Sequence, residues 1–538
     1  MRRSSILMLL CAVALASNAL SAATPCGSLT ALKLPNNTTV DTATVVPEGP
    51  FTRPGATTAT NVPSFCRVAG TSRPTSDSEI HFEVWMPVSG WNGKLDHGGN
   101  GGYGGSLGTP AGFMLNGLLR GYATTGTDMG HNAATAPGAS FALGHPEKLV
   151  DWGSRANHVT SVAAKLVVRA FYGASPFLSY FTGCSDGGHE ALMEAQRFPD
   201  DYDGIVAGAS ANYWTHQSAA WVWEALAGLG VLPVSKLPMI NTAAVAACPG
   251  IVPTVIDDPT RCRFDPASLL CAGADAPSCL TAAQVDAVRK IYAGPRNPRT
   301  GARIYPGLEP GSEAAAGSLG AAGSWSILIS SAQTFLGGDT WKYMVFKDPN
   351  WDFHTLNFDR DVALADSTVG PIINSTNPDL SDFKALGGKL IMWHGWADPL
   401  VNPRNSIDYL RSVAAAARGR SGREQDNDEA TRGTQGFLRL FMAPGLTHCS
   451  GGPGLNTFDT LTALERWVEQ GKAPEKLIAS HTNLAFPDNV MVATPPAGDF
   501  SRPLCPWPEV ARYTGRGSTK DARSFVCTRQ GGERDDDD

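Results

Sequence analysis

The stretch "LSYFTGCSDGGHEALMEAQRF", residues 178–198, decides the fold. Its opening "LSYFTG" reads as a strand, and "HEALMEAQRF" spaces its apolar residues as an amphipathic helix does. Between them, Gly183-Cys184-Ser185-Asp186-Gly187 fits G-x-S-x-G. Strand, glycine-flanked turn and helix are the setting in which that motif lifts a serine hydroxyl clear of a sheet as a nucleophile. A serine that merely suits a tight turn is the competing reading. The motif does not require the cysteine at position 184.

Working outward, residues 80–210 alternate strand and helix patterns. "IHFEVWMPV" (80–88) alternates apolar and polar residues, "HGGNGGYGG" (97–105) is a glycine-dense turn, and "GYATTGTDMGH" (121–131) reads as another strand and loop. From 212 to 385 the character changes. Alanine, glycine and tryptophan rise, cysteines cluster between 248 and 279, and loops such as "AGPRNPRTGARIYPGLEPGSEAAAGSLGAAGSW" dominate. "GKLIMWHGWADPLVNP" (388–403) restores a buried strand that ends in an aspartate loop. "FLRLFMAPGLTHCSGGPG" (437–454) is a strand that ends in a histidine loop. "TLTALERWVEQG" (460–471) is an amphipathic helix stopped at Gly471. The tail "GGERDDDD" (531–538) is acidic and is expected to be disordered. No internal repeat is present. The expectation is an α/β fold, with a catalytic domain from residues 24–211 and 386–538 and an inserted lid domain from 212–385.

Three strand ends supply Ser185, Asp398 and His448, and that chain order is the α/β-hydrolase order. A serine hydroxyl is a weak nucleophile near neutral pH. It needs an imidazole to take its proton, and the imidazole needs a carboxylate to fix its tautomer. Singly, each residue has a bland reading: a turn serine, a loop cap before Pro399, a loop histidine. Three matches in order select the triad. Asp128 and His131 precede the serine, and with His97 and His394 they read as structural or pocket-lining. One oxyanion donor is expected from the Asp186 backbone N–H and the other from the loop at 97–105, where glycines let amides approach a ligand closely.

Composition bounds the partners. The 538 residues are 42% hydrophobic and 17% charged, with a net charge of −7 and a pI near 5.9. Basic residues are scattered, which argues against nucleic acid or an anionic membrane surface as partner. Met1-Arg2-Arg3, an apolar run from Ile6 to Ala16 and small residues at 21–23 read as a signal peptide cleaved after Ala23; a buried N-terminal helix is the alternative. No later stretch is long and apolar enough to span a bilayer. Of 11 cysteines, Cys11 lies inside that segment, and the ten that remain suit a five-bridge framework in an exported chain. Zinc is the rival use, but no CxxC pair occurs. Export places the chain outside the cytoplasm, secreted or periplasmic.

"GCSDGGHEALMEAQRFPDDYDGIVAGA" (183–209) and "PGLTHCSGGPG" (444–454) resemble the tannase and feruloyl esterase family, which also contains mono-hydroxyethyl terephthalate hydrolases. "WNGKLDHGGNGG" (91–102), "HGWADP" (394–399) and "RPLCPWPEVARYTGRG" (502–517) match it too. The resemblance spans the chain beyond residue 23 and is weakest in the lid. It implies an α/β-hydrolase domain with a lid inserted between the serine and aspartate segments. It also implies disulfides Cys184–Cys449, Cys26–Cys66, Cys248–Cys262, Cys271–Cys279 and Cys505–Cys527, and a second oxyanion amide at Gly102. Many members carry a calcium loop in the lid. The corresponding "CPGIVPTVIDDP" (248–259) is short, with Pro249 and Pro253 where aspartates belong, so Asp257 is the one residual candidate ligand and no cofactor is expected. The activity implied is that of a secreted serine carboxylesterase acting on small aromatic esters, hydroxycinnamoyl or galloyl. A terephthalate half-ester hydrolase and a catalytically inactive polyphenol-binding homologue are the alternatives. Trp325 and His394 are the candidate substrate contacts. Trp325, Trp341 and Trp351 suit stacking on an aromatic acyl group and equally suit a lid core.

Overall fold

Nine strands form one sheet: β1 (Thr38–Val46), β2 (Phe65–Ser72), β3 (Ile80–Pro87), β4 (Lys94–Gly98), β5 (Ala123–Thr127), β6 (Leu178–Cys184), β7 (Gly204–Gly208), β8 (Lys389–Gly395) and β9 (Leu438–Ala443). Their order is β1-β2-β3-β5-β4-β6-β7-β8-β9. The first three pair antiparallel and β3 joins β5 antiparallel; every later pairing is parallel. This computed structural model describes residues 24–252, 254–315, 324–329, 336–421, 433–484, 486–491 and 498–529. The expected signal segment, Pro253 and the acidic tail lie outside them.

Parallel strands are covered on both faces, so their residues are buried whichever way they point. β5 and β7 are buried along their whole length. Alternate residues feed different layers. Tyr180, Val206, Ile391 and Trp393 face one core, which helices α1 (Pro110–Leu119) and α8 (Thr460–Gln470) cover through Phe113, Leu461, Leu464 and Trp467. Phe181, Ile205, Leu390 and Met392 face the other, covered by α3 (Asp186–Arg197) and α7 (Pro403–Ser421). α2 (Ala156–Tyr172) packs Ala163, Val167 and Val168 on the antiparallel strands. Helix α8 shows the local rules at work. The Asp459 side chain accepts the Thr462 N–H at 3.0 Å, and Gly471 ends the helix at φ 66°.

Between β7 and β8 the chain leaves the sheet to form α4 (Trp214–Gly228), α5 (Leu237–Ala247) and α6 (Ala282–Ala293). These helices share a cluster containing Trp221, Ile240, Val285, Val288, Ile291, Trp325 and Leu328. Helix α6 opens with a capping box, Thr281 and Gln284 each accepting the other's backbone N–H.

The ten described cysteines form five disulfides: Cys26–Cys66, Cys184–Cys449, Cys248–Cys262, Cys271–Cys279 and Cys505–Cys527. Among the described residues no helix is long and apolar enough to cross a membrane.

Candidate active site

β6 ends in a turn only small residues allow. Ser185 sits at φ 68°, ψ −121°, a conformation costing about 1–3 kcal/mol for a residue with a side chain. A Cβ on Gly183 would stand 2.2 Å from the Gly187 carbonyl oxygen, and one on Gly188 would stand 2.4 Å from that of Gly208. The strained turn is tied down on both sides: Ser185 N–H donates to Gly208 O at 3.0 Å and Ala211 N–H to Ser185 O at 3.1 Å.

Ser185 Oγ lies 2.8 Å from His448 Nε2, and His448 Nδ1 lies 2.7 Å from Asp398 Oδ2. With Nδ1–H donating to the carboxylate, Nε2 is left to accept the serine hydroxyl. Asp398 is fully buried. Its Oδ1 accepts the backbone N–H groups of Leu400 (2.8 Å) and Val401 (3.0 Å). Burial alone would raise its pKa, but the charge of His448 and hydrogen bonds from His394 and His448 outweigh that and hold the carboxyl well below its usual range.

His394 does not reach the cavity, contrary to its reading as a substrate contact. It is fully buried behind Asp398, with Nε2 3.2 Å from Asp398 Oδ2 and 2.9 Å from Val401 O. Facing a carboxylate and a carbonyl, Nε2 carries a hydrogen and donates. The Ser406 hydroxyl lies 2.8 Å from Nδ1. Trp325 is also corrected. It is fully buried in the core shared by α4, α5 and α6, its indole N–H donating to Ser312 Oγ at 2.9 Å. A large apolar ring is worth more there, removed from water on every side, than on a wall. Trp341 is fully buried as well, packed near Trp351.

The glycine-dense loop lies against the serine turn. Asn100 O accepts the Gly187 N–H at 3.1 Å, and Asn100 N–H donates to Glu190 Oε2 at 3.0 Å. Asn100 Nδ2 donates to Ser106 O and Thr127 O, both at 3.0 Å. The loop's backbone is therefore fixed to α3 and to β5. Gly102 follows at φ 63° and lines the cavity with no hydrogen bond on its N–H among the described residues; the Asp186 N–H at the start of α3 is likewise unused. Burial pushes the Asp186 carboxyl well up. Burial, then the neighbouring Asp186, does the same to Glu190. For both acids, burial beneath the turn disfavours the charged form. Tyr103 ties the loop to the excursion after β7, its hydroxyl donating to Leu336 O at 2.8 Å.

Ser185 and His448 open into a cavity of about 860 Å³. One wall is apolar, built from Trp214, Trp221, Ile327, Leu336, Leu400 and Val401. The sequence reading missed this wall. α4 is buried nearly all round, so no amphipathic stripe marks which tryptophans face a ligand.

The calcium-loop residues do not suit a metal. Asp257 Oδ1 accepts from the Arg502 guanidinium at 2.9 Å and Oδ2 from the Ile251 N–H at 2.8 Å. Asp258 Oδ1 accepts from the backbone and hydroxyl of Thr260. A side-chain cation thus meets the carboxylate a calcium ion would need.

A family model described as tannase and feruloyl esterase matches residues 66–528. A relative from Xanthomonas campestris pv. campestris, described as an uncharacterized esterase, is 42% identical over 94% of this chain and 92% of its own. Mono(2-hydroxyethyl) terephthalate hydrolase from Piscinibacter sakaiensis is 32% identical over 88% of this chain and 86% of its own. Among solved structures, feruloyl esterase B from Aspergillus oryzae superposes with a TM-score of 0.81 at 27% identity, covering 94% of this chain and 99% of that one.

Proposed function

The chain belongs to the tannase and feruloyl esterase family and is a carboxylic ester hydrolase, and from that premise we propose that it is an exported serine esterase cleaving small esters of neutral aromatic acids through Ser185, His448 and Asp398. The observation that carries this reading is the Ser185–His448–Asp398 chain of 2.8 and 2.7 Å contacts, opening on a cavity with a tryptophan-lined wall.

In acylation, Ser185 Oγ bonds to the ester carbonyl carbon while its proton passes to His448 Nε2. The carbonyl oxygen becomes an oxyanion held by the N–H groups of Gly102 and Asp186. The tetrahedral species collapses, the carbon–alkoxy bond breaks, and the leaving oxygen takes the proton from His448. Water then attacks the acyl-enzyme by the same route and frees the acid. Asp398 holds the imidazole tautomer and stabilises the imidazolium; His394 holds Asp398. No metal takes part in this scheme.

The described cavity wall consists of neutral side chains together with His448 and His481. That favours a neutral aromatic acyl group over terephthalate half-esters, whose free carboxylate calls for a cationic partner. The disulfide framework supports export. A hydrolysis panel of methyl ferulate, chlorogenate, methyl gallate and mono-hydroxyethyl terephthalate tests the assignment. Turnover of the first three is expected to exceed that of the half-ester; a clear preference for the half-ester would reject it.

A further inference from the structure

Polar residues line the cavity as well, on a segment that runs on into the apolar Leu484 and Phe486. They are Ser450, Asn456, His481, Thr482 and Asn483, continuing the loop that carries His448 through Cys449, Gly451 and Gly452. The segment is pre-formed. Asn456 Nδ2 donates to Thr482 O at 3.0 Å, and the Thr482 N–H donates to Asn456 Oδ1 at 2.9 Å. His481 is fixed from three sides. Its backbone N–H donates to Phe500 O at 3.1 Å, its ring stacks on Phe500 with the planes 3° apart, and Nδ1 lies 2.8 Å from Gly454 O.

The last contact sets the tautomer. A carbonyl oxygen accepts only, so Nδ1 carries the hydrogen, and in the neutral ring Nε2 is an acceptor. Asn456 Nδ2 stands 3.5 Å from the same Nδ1, too far to compete. Nε2 has no partner among the described residues, on a side chain that lines the cavity. In acylation the leaving oxygen takes its proton from His448, so the alcohol half of the ester lies on the His448 side of Ser185, in the cavity that His448 and His481 both line.

We propose that His481 is a specificity-determining residue, its Nε2 accepting a hydrogen bond from a hydroxyl on the alcohol half of the ester. The site then selects polyhydroxylated leaving groups, such as a sugar or polyol, over simple alkyl ones. This rests on the esterase reading of Ser185 and His448.

The test uses two esters of one acid, glyceryl ferulate and methyl ferulate, with wild type and His481→Phe, which keeps a ring to stack on Phe500. The readout is the ratio of kcat/KM for the glyceryl ester to that for the methyl ester. This ratio is independent of how much enzyme is correctly folded. Loss of one hydrogen bond is expected to lower it by about five- to tenfold. An unchanged ratio, with both esters still turned over, overturns the role of His481 and leaves the esterase reading standing. Absence of turnover of both esters by the wild type overturns the esterase reading and, with it, this one.

Discussion

Cys184 and Cys449 are bonded to each other, and they are the residues immediately before Ser185 and immediately after His448. The bridge spans 265 residues of sequence and joins two turns whose own backbones are strained, Ser185 at φ 68° and Cys449 at φ 61°. It ties the nucleophile's turn directly to the base's loop across the long excursion after β7. Cys184→Ala, or reduction of the wild type, is expected to lower kcat by about 10- to 100-fold, because small misplacements of reacting groups are expensive. Single-turnover kinetics check this; full activity in both would reduce the bridge to a stability element.

His394 acts through Asp398. His394→Ala removes a donor to the buried carboxylate and to Val401 O, and the ring nitrogen that the Ser406 hydroxyl meets. A fall in kcat of roughly tenfold or more, with KM little changed, is expected. A rise in KM alone would place His394 in substrate binding after all.

Glu190 positions the oxyanion loop. Glu190→Gln keeps an acceptor for the Asn100 N–H, whereas Glu190→Ala leaves that buried N–H unpaired. The alanine variant is expected to lose roughly tenfold in kcat, and glutamine to recover most of it. Equal losses in both variants would show that the hydrogen bond is not what matters.

Asp96 is fully buried on β4, and burial pushes its carboxyl up to about 8, against a hydrogen bond from the Thr182 hydroxyl. An acid whose folded pKa is raised binds more protons folded than unfolded. Its contribution therefore erodes as pH rises from about 4, where the unfolded chain ionises, towards 8, with a slope of up to about 1.4 kcal/mol per pH unit. Asp96→Asn is expected to flatten stability against pH across that window, as urea denaturation at pH 5 and pH 8 would show. An identical pH slope in the variant would refute the assignment.

With Arg502 held against Asp257, neither EDTA nor added calcium is expected to move the melting temperature, since a ligand stabilises only by binding the folded state. Arg502→Ala should destabilise by about 1–3 kcal/mol. A calcium-dependent rise in the wild-type melting temperature would contradict this.

Much of this was legible in the sequence because local rules and global packing agree there. The elbow glycines, the strand ends at Asp398 and His448, and the helix stop at Gly471 are set by backbone geometry within a few residues. The strands at 38–46 and 65–72 carry a weaker signal in the sequence. β1 lies at the sheet's edge and slips register between Val40 and Thr42, which breaks the two-residue alternation that marks a strand. Trp325 and His394 were misplaced for another reason. Both suit a core and a cavity wall equally, and which one they occupy depends on contacts far away in sequence. Trp214, Trp221 and His481 were missed because long-range folding brings them to the cavity, and no motif marks them.

The most direct test of the central assignment is to expose wild type and Ser185→Ala to a fluorophosphonate probe and to methyl ferulate, with the adduct mapped by peptide mass spectrometry. The wild type should carry one adduct, on Ser185, and the variant none, with turnover reduced by roughly 10⁴-fold or more. An adduct on another residue, or a variant that still hydrolyses methyl ferulate at the wild-type rate, would contradict Ser185 as the nucleophile.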